Sequence, residues 1–174
     1  MTSKAVNYAH RGKSLQTLID TANNQYYYLG HGLIQFIETP MRQQRVGRTT
    51  KWVFAKKSTV DYVGTLKGGH SIAFEAKQTK LKSRFDFSNI GFHQMEHLKM
   101  QEQLGGSAFL IIEFTAHNKI FYVKYKDIAP HYYAAQEDLD AKKSLRYEWF
   151  IETCQQIRQG RGVCLDYLKY VNAS

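Results

Sequence analysis

The stretch "VDYVGTLKGGHSIAFEAKQTK", residues 60–80, carries the residue types best suited to chemistry. Asp61, Glu75 and Lys77 follow the spacing D-x13-E-x-K. Side chains of a strand alternate between faces, so Glu75 and Lys77 share one face while Phe74 and Ala76 share the other. Phe74 and Ala76 are expected to pack inward, leaving Glu75 and Lys77 on an open, polar face. Gly68 and Gly69 signal a hairpin turn, which folds the preceding strand, with Thr59 and Asp61 on one face, back beside Glu75. In a suitable register Asp61, Glu75 and Lys77 converge. Two carboxylates with oxygen donors nearby suit a hard cation such as Mg²⁺, which is held by one or two carboxylates, waters and substrate phosphate oxygens. Such an ion offsets the charge of a phosphodiester and lowers the pKa of bound water, and a lysine beside it faces the negative charge that develops on phosphorus. The same spacing also describes an exposed hairpin with a cross-strand ion pair worth about 0–1 kcal/mol.

The elements that must position these residues read as follows. Ser14 caps a helix with Leu15, Leu18, Ile19 and Ala22 at helical spacing. "LIQFIE" is a short strand, and "TVDYVGTLK" and "HSIAFEAK" form the hairpin. Residues 89–104 predict a helix closed by Gly105 and Gly106. "SAFLIIEF" and "KIFYVKY" are two further strands joined by the turn "TAHN", and residues from 127 onward are mostly helical with a loop near Gly160 and Gly162. The order predicts an α/β domain, a mixed sheet flanked by helices, over residues 1–174.

Charge narrows the partners. Lys and Arg total 24 against 15 Asp and Glu, a net charge of +9, which suits a polyanion, most commonly nucleic acid. No basic amphipathic helix with a broad apolar face speaks for a membrane surface, no apolar run approaches the roughly 20 residues of a span, and the first residues lack the apolar core of a signal peptide. A cytoplasmic location with no membrane partner is the expectation, and Cys154 and Cys164 read as reduced structural thiols. Residues 39–57 hold Arg42, Arg45, Arg48, Lys51, Lys56 and Lys57 with no acidic residue, alongside Trp52 and Phe54. They suit phosphate contact and base stacking; six such contacts would give a salt slope of about −5 per subunit. Lys77, Lys80, Lys82 and Arg84 extend the basic surface beside the site.

V-D-Y-x-G followed by F-E-A-K resembles the core of the PD-(D/E)xK nucleases, with Val60 in place of the proline. More narrowly, the chain resembles the RecU-type Holliday junction resolvases. The resemblance rests on "NYAHRG" (7–12), "STVDYVG" (58–64), "IAFEAKQTK" (72–80), "FHQMEHLK" (92–99) and "LDYL" (165–168), in that order along nearly the whole chain. It implies a restriction-endonuclease-like mixed β-sheet flanked by helices, with residues 39–57 as a projecting basic stalk that contacts the junction centre. It further implies Thr59, Asp61, Glu75 and Gln94 around Mg²⁺, with Mn²⁺ a possible substitute, and Lys77 stabilising the transition state. Gln94 would offer an amide oxygen from the start of a helix. Arg11, the stalk cations, Lys80, Lys82 and Arg84 would contact DNA. The partners implied are a four-way junction and a second copy of the chain, since symmetric cutting needs two sites on a two-fold axis; the sequence names no recombinase partner. The chain departs from the pattern at Gln16, where such nucleases often carry a glutamate facing the site; Asp20 lies one turn later on the same helix face.

Three readings compete with a junction resolvase. One is another nuclease of the same superfamily, and a second is a non-catalytic junction-binding or strand-annealing protein. The third rests on "HQMEH", His93 to His97, which matches the H-x-x-E-H helix of inverted zinc peptidases. That reading leaves the strand carboxylates and the positive charge unexplained. Tyr132, Tyr133, Trp149 and Phe150 are expected either in the core or at an interface.

Overall fold

The structure is a computed structural model that describes residues 14–38, 41–54, 60–138 and 140–171, without the side chains of residues 41, 42 and 52–54. Helix α1 (Leu15–Tyr28) starts at Ser14, whose hydroxyl accepts the Thr17 N–H, and turns Leu15, Leu18, Ile19, Ala22 and Tyr26 inward. The strands are β1 (Gly32–Phe36), β2 (Met41–Val46), β3 (Thr49–Phe54), β4 (Tyr62–Leu66), β5 (Ser71–Thr79) and β6 (Arg84–Asp86), followed by helix α2 (Phe92–Gln103). Then come β7 (Ser107–Phe114), β8 (Lys119–Lys124), α3 (Tyr125–Glu137), β9 (Ser144–Arg146), α4 (Tyr147–Thr153) and β10 (Gln155–Ile157).

Six strands form the central sheet in the order β1-β4-β5-β7-β8-β10. All neighbours are antiparallel except β5 and β7, which run parallel because α2 carries the chain across between them. The expected mixed sheet flanked by helices is therefore present. Alternation along the strands supplies two cores. Ile72, Phe74, Phe109, Ile111, Ile120 and Tyr122 face α1 and the C-terminal segment around Leu165 and Tyr167. Ala73, Ala108, Leu110, Ile112, Phe121 and Val123 face α2, α3 and α4. On the first face, Tyr62, Phe74 and Phe109 stack across three neighbouring strands with ring centroids 4.7 Å apart at each step. Such stacks add about 0.5–1.5 kcal/mol per pair to the area buried.

Four differences from the sequence reading have physical causes. The helix expected over 89–104 is Phe92–Gln103, because a 3-10 turn at Phe87–Asn89 precedes it and Gly91 caps it. Residues from 127 onward are less helical than expected: β9 pairs with β6, and β10 joins the main sheet at the β8 edge. Residues 41–54 of the basic segment form a hairpin, β2 with β3, closed at Gly47 with φ +63 and, among the described residues, hydrogen-bonded to no strand of the central sheet. Finally, Glu75 does not lie on an open face. Both faces of β5 are covered, as is usual for an inner strand flanked by helices, and Glu75 is fully buried. Tyr132 and Phe150 are core residues, with Tyr133 and Trp149 packed against them. Cys154 is a free thiol, which burial pushes up to about 12. Among the described residues no helix is long and apolar enough to cross a membrane.

Candidate active site

The site grows from the β4–β5 hairpin. Gly68 and Gly69 adopt φ +90 and +89, which side chains resist, and this turn sets Tyr62 opposite Phe74. One step further along the ladder, Asp61 falls beside Glu75. The two carboxylates interlock with each other's backbone: the Asp61 N–H donates to Glu75 Oε2 at 3.1 Å, and the Ala76 N–H donates to Asp61 Oδ2 at 3.1 Å. The Ile37 N–H donates to the Asp61 carbonyl at 2.7 Å, tying the residue to the chain leaving β1. Lys77, on the Glu75 face as alternation requires, brings Nζ to 2.7 Å from Glu75 Oε1. Asp61, Glu75 and Lys77 are thus brought together as the spacing predicts.

Gln94 joins them from the first turn of α2. Its Nε2 donates to Glu75 Oε1 at 2.5 Å, while its Oε1 accepts the Gly91 N–H at 2.8 Å. The amide therefore turns its NH₂, not its oxygen, toward the carboxylate, because a backbone donor already holds the oxygen. Asp20 on α1 accepts a 2.8 Å hydrogen bond from the hydroxyl of Tyr62, the residue next to Asp61. Gln16 is exposed.

Electrostatics mark the site as short of positive charge. Burial, reinforced by the negative charge of Asp61 and opposed by Lys77, pushes the Glu75 carboxyl up to about 7. A cation beside both carboxylates relieves that strain. The donor set also fits: two carboxylates within one hydrogen-bond network suffice for Mg²⁺, which fills the rest of its octahedron with water and phosphate oxygens. Among the described residues no group of three His, Cys, Asp or Glu is placed to hold a metal. The described residues thus offer the zinc-peptidase reading no complete ligand set. Glu96 instead accepts the Tyr133 hydroxyl at 2.7 Å, which fastens α2 to α3; His93 is exposed, and burial lowers the pKa of His97. Sequence reasoning did not foresee this tie, because its signal is a tyrosine on a different helix.

Of the expected DNA contacts, Arg45, Arg48 and Lys51 are exposed on the β2–β3 hairpin, and Lys80, Lys82 and Arg84 are exposed after β5. All residues from 43 to 51 are exposed. Arg45 lies opposite Thr50 and Lys51 opposite Gln44, so Arg45 and Lys51 fall on opposite faces of the ribbon, with Arg48 at its turn. Thr59, Arg11, Lys56, Lys57 and the Arg42 side chain lie outside the described residues.

The chain is similar to one known family along almost its whole length. The sequence profile described as "Recombination protein U" matches residues 10–173. A protein of Pediococcus pentosaceus named "Holliday junction resolvase RecU" is 33% identical over 174 residues, covering 95% of this chain and 84% of its own. A protein of the same name from Bacillus cytotoxicus is 31% identical over 176 residues, again covering 95% and 84%. Among solved structures, the Holliday junction resolvase Hjc of Archaeoglobus fulgidus aligns with a TM-score of 0.46 and 10% identity, over 81% of this chain and 94% of that one. On the strength of the profile match and of the identity shared across almost its whole length, the chain belongs to the Recombination protein U family.

Proposed function

We propose that this protein is a Mg²⁺-dependent, structure-selective DNA endonuclease, one nuclease domain that resolves four-way junctions by paired symmetric nicks in homologous recombination and DNA repair. The observation that carries the reading is the interlock of Asp61, Glu75 and Lys77 on two neighbouring strands. The names of its relatives support the junction as substrate. Asp61 and Glu75 would hold the metal, with Thr59 and Gln94 beside it, and Mn²⁺ would substitute. The ion would supply a counter-charge to the scissile phosphate and a more acidic bound water. Lys77 has a distinct task. Its side chain keeps about 20% of its surface exposed beside the buried Glu75, and its ammonium would face negative charge developing on phosphorus.

The β2–β3 ribbon fits the centre of a junction. It offers cations on both faces and at its turn, so strands passing on either side meet positive charge. Two coupled cuts need a homodimer with two-fold symmetry. The work suits a cytoplasmic protein.

The test incubates the protein with a mobile four-way junction, linear duplex and single strands, each with Mg²⁺ and with EDTA. Paired nicks on opposing junction strands, only with Mg²⁺, are expected. Cleavage of linear duplex alone would assign the protein to another nuclease activity, and binding without cleavage would make it a junction-binding protein.

A further inference from the structure

The small sheet formed by β6 and β9 carries a pairing that folding alone disfavours. Its register sets Arg84 directly opposite Arg146. Phe85 and Leu145 turn into the core, so the two arginines share the outward face of the ribbon, and both are exposed. Like charges directly opposite on neighbouring strands destabilise the pair. Arg84 is relieved by Asp86, whose Oδ1 accepts from its Nε at 2.8 Å. Arg146 has no carboxylate within ion-pair distance among the described residues.

More positive charge surrounds this pair. Lys142 and Arg146 line a cleft of about 400 Å³ together with Ser144, Trp149 and one carboxylate, that of Glu152. On the other side, Lys82 is exposed, and its carbonyl lies 2.7 Å from His117 Nε2, while the Tyr147 N–H donates to the Ser83 carbonyl at 2.9 Å. These bonds anchor the chain between β5 and β6, which gives the basic face a fixed geometry.

The ribbon also lies close to the chemistry along the chain. Arg84 follows Lys77 by seven residues, and an extended chain of that length spans at most about 25 Å. That is less than one turn of B-form duplex, about 34 Å. Arg84, with Arg146 opposite it, thus lies within the length of one duplex turn of Lys77.

Resting on the nuclease reading above, we infer that the outward face of the β6–β9 ribbon, with Arg146 and Lys142 at its centre, is a second DNA-docking surface that grips the phosphate backbone of a duplex arm next to the cut. Its ligand is the backbone of double-stranded DNA, whereas the β2–β3 ribbon meets the branch point. Charge complementarity selects this ligand: exposed guanidinium and ammonium groups, with Arg146 in no ion pair among the described residues, match the phosphates of a duplex backbone.

The experiment measures binding of linear duplex and of a four-way junction by fluorescence anisotropy in EDTA, over a range of salt, together with thermal melts. Arg146→Ala and Lys142→Ala should each weaken both DNAs several-fold and reduce the salt slope by about 1, leaving the preference for junction over duplex unchanged. Arg146→Glu should weaken binding further, yet melt at the same or a higher temperature, because it replaces a like-charge pair with an opposite one. Arg146→Lys should keep the slope. Variants that bind with unchanged affinity and slope overturn the ribbon surface alone, as does a loss of binding matched by a loss of thermal stability in Arg146→Glu. Wild-type protein that binds neither DNA overturns the nuclease reading itself.

Discussion

Glu75 is held in a state that a lone carboxylate avoids. It is fully buried, it shares a hydrogen-bond network with Asp61, and its positive partner is Lys77. Its pKa stands at about 7 against a reference of 4.5, so the metal-free native state binds this proton more tightly than the unfolded chain does. Stability linked to Glu75 is full below about pH 4.5 and is lost as pH rises through about 7, a change of about 3 kcal/mol. Asp61→Asn removes the neighbouring negative charge while an amide oxygen can still accept the Ala76 N–H. In EDTA at pH 8 this variant should therefore be more stable than wild type, on the order of 1 kcal/mol, and the gap should close near pH 5. Thermal melts across that range read the effect, and junction binding should persist while nicking is lost. An Asp61→Asn protein less stable than wild type at pH 8 would show that Asp61 matters as a hydrogen-bond acceptor more than as a repelling charge. The convergence of Asp61, Glu75 and Lys77 was legible in the sequence, because strand alternation and a Gly-Gly turn leave few registers. The burial of Glu75 was not, since its cover comes from a helix that begins at Phe92. Nor was the direction of the Gln94 amide, which depends on the backbone N–H of Gly91.

At the scale of elements, the position of β4 depends on a glycine with no part in the chemistry. A Cβ on Gly64 would stand 2.6 Å from the Leu33 carbonyl and 2.9 Å from the Ile34 Cα, both backbone atoms of β1. The absence of a side chain lets β1 close against β4, and β1 in turn leads to the Ile37 N–H that holds the Asp61 carbonyl. Gly64→Ala should lower stability by about 1–3 kcal/mol in urea unfolding, with nicking reduced beyond the loss of folded protein because the Asp61 end of the strand shifts. Wild-type stability in that variant would mean that β1 is free to move aside. The five longer strands of the central sheet were legible, each being apolar and bounded by turn residues. The resemblance implied a projecting basic stalk at 39–57, but the pairing of β2 with β3 was not legible, because a ribbon exposed on both faces has no apolar alternation to show. β10 escaped for another reason: three residues, "QQI", carry no period, and the free edge of β8 makes them a strand.

At the scale of the whole molecule, the +9 charge explains attraction to DNA but not coupling between two cuts. On the proposed function, coupling would call for a second copy, and one surface suits it. β1 is an outer strand of the central sheet with β4 on its inner side. Proteins usually guard such an edge with charge or proline. This edge, "GLIQF", has neither, and it exposes Leu33 and Phe36. The end of α1 adds Tyr27, 60% exposed, and Tyr28, 86% exposed, next to one another in the chain and in ring contact. Exposed apolar side chains such as these suit a protein partner and do not attract phosphate. Two β1 edges meeting antiparallel create a two-fold axis directly, which is the symmetry that paired nicks demand. The wild-type protein should therefore sediment as a dimer. Leu33→Asp combined with Phe36→Asp should sediment as a folded monomer that still binds duplex arms. On a four-way junction that monomer should nick single strands without pairing the cuts, so nicked junctions accumulate in place of resolved duplexes. A double variant that remains dimeric would move the interface elsewhere, and a monomeric wild type that still delivers paired cuts would remove the need for a dimer.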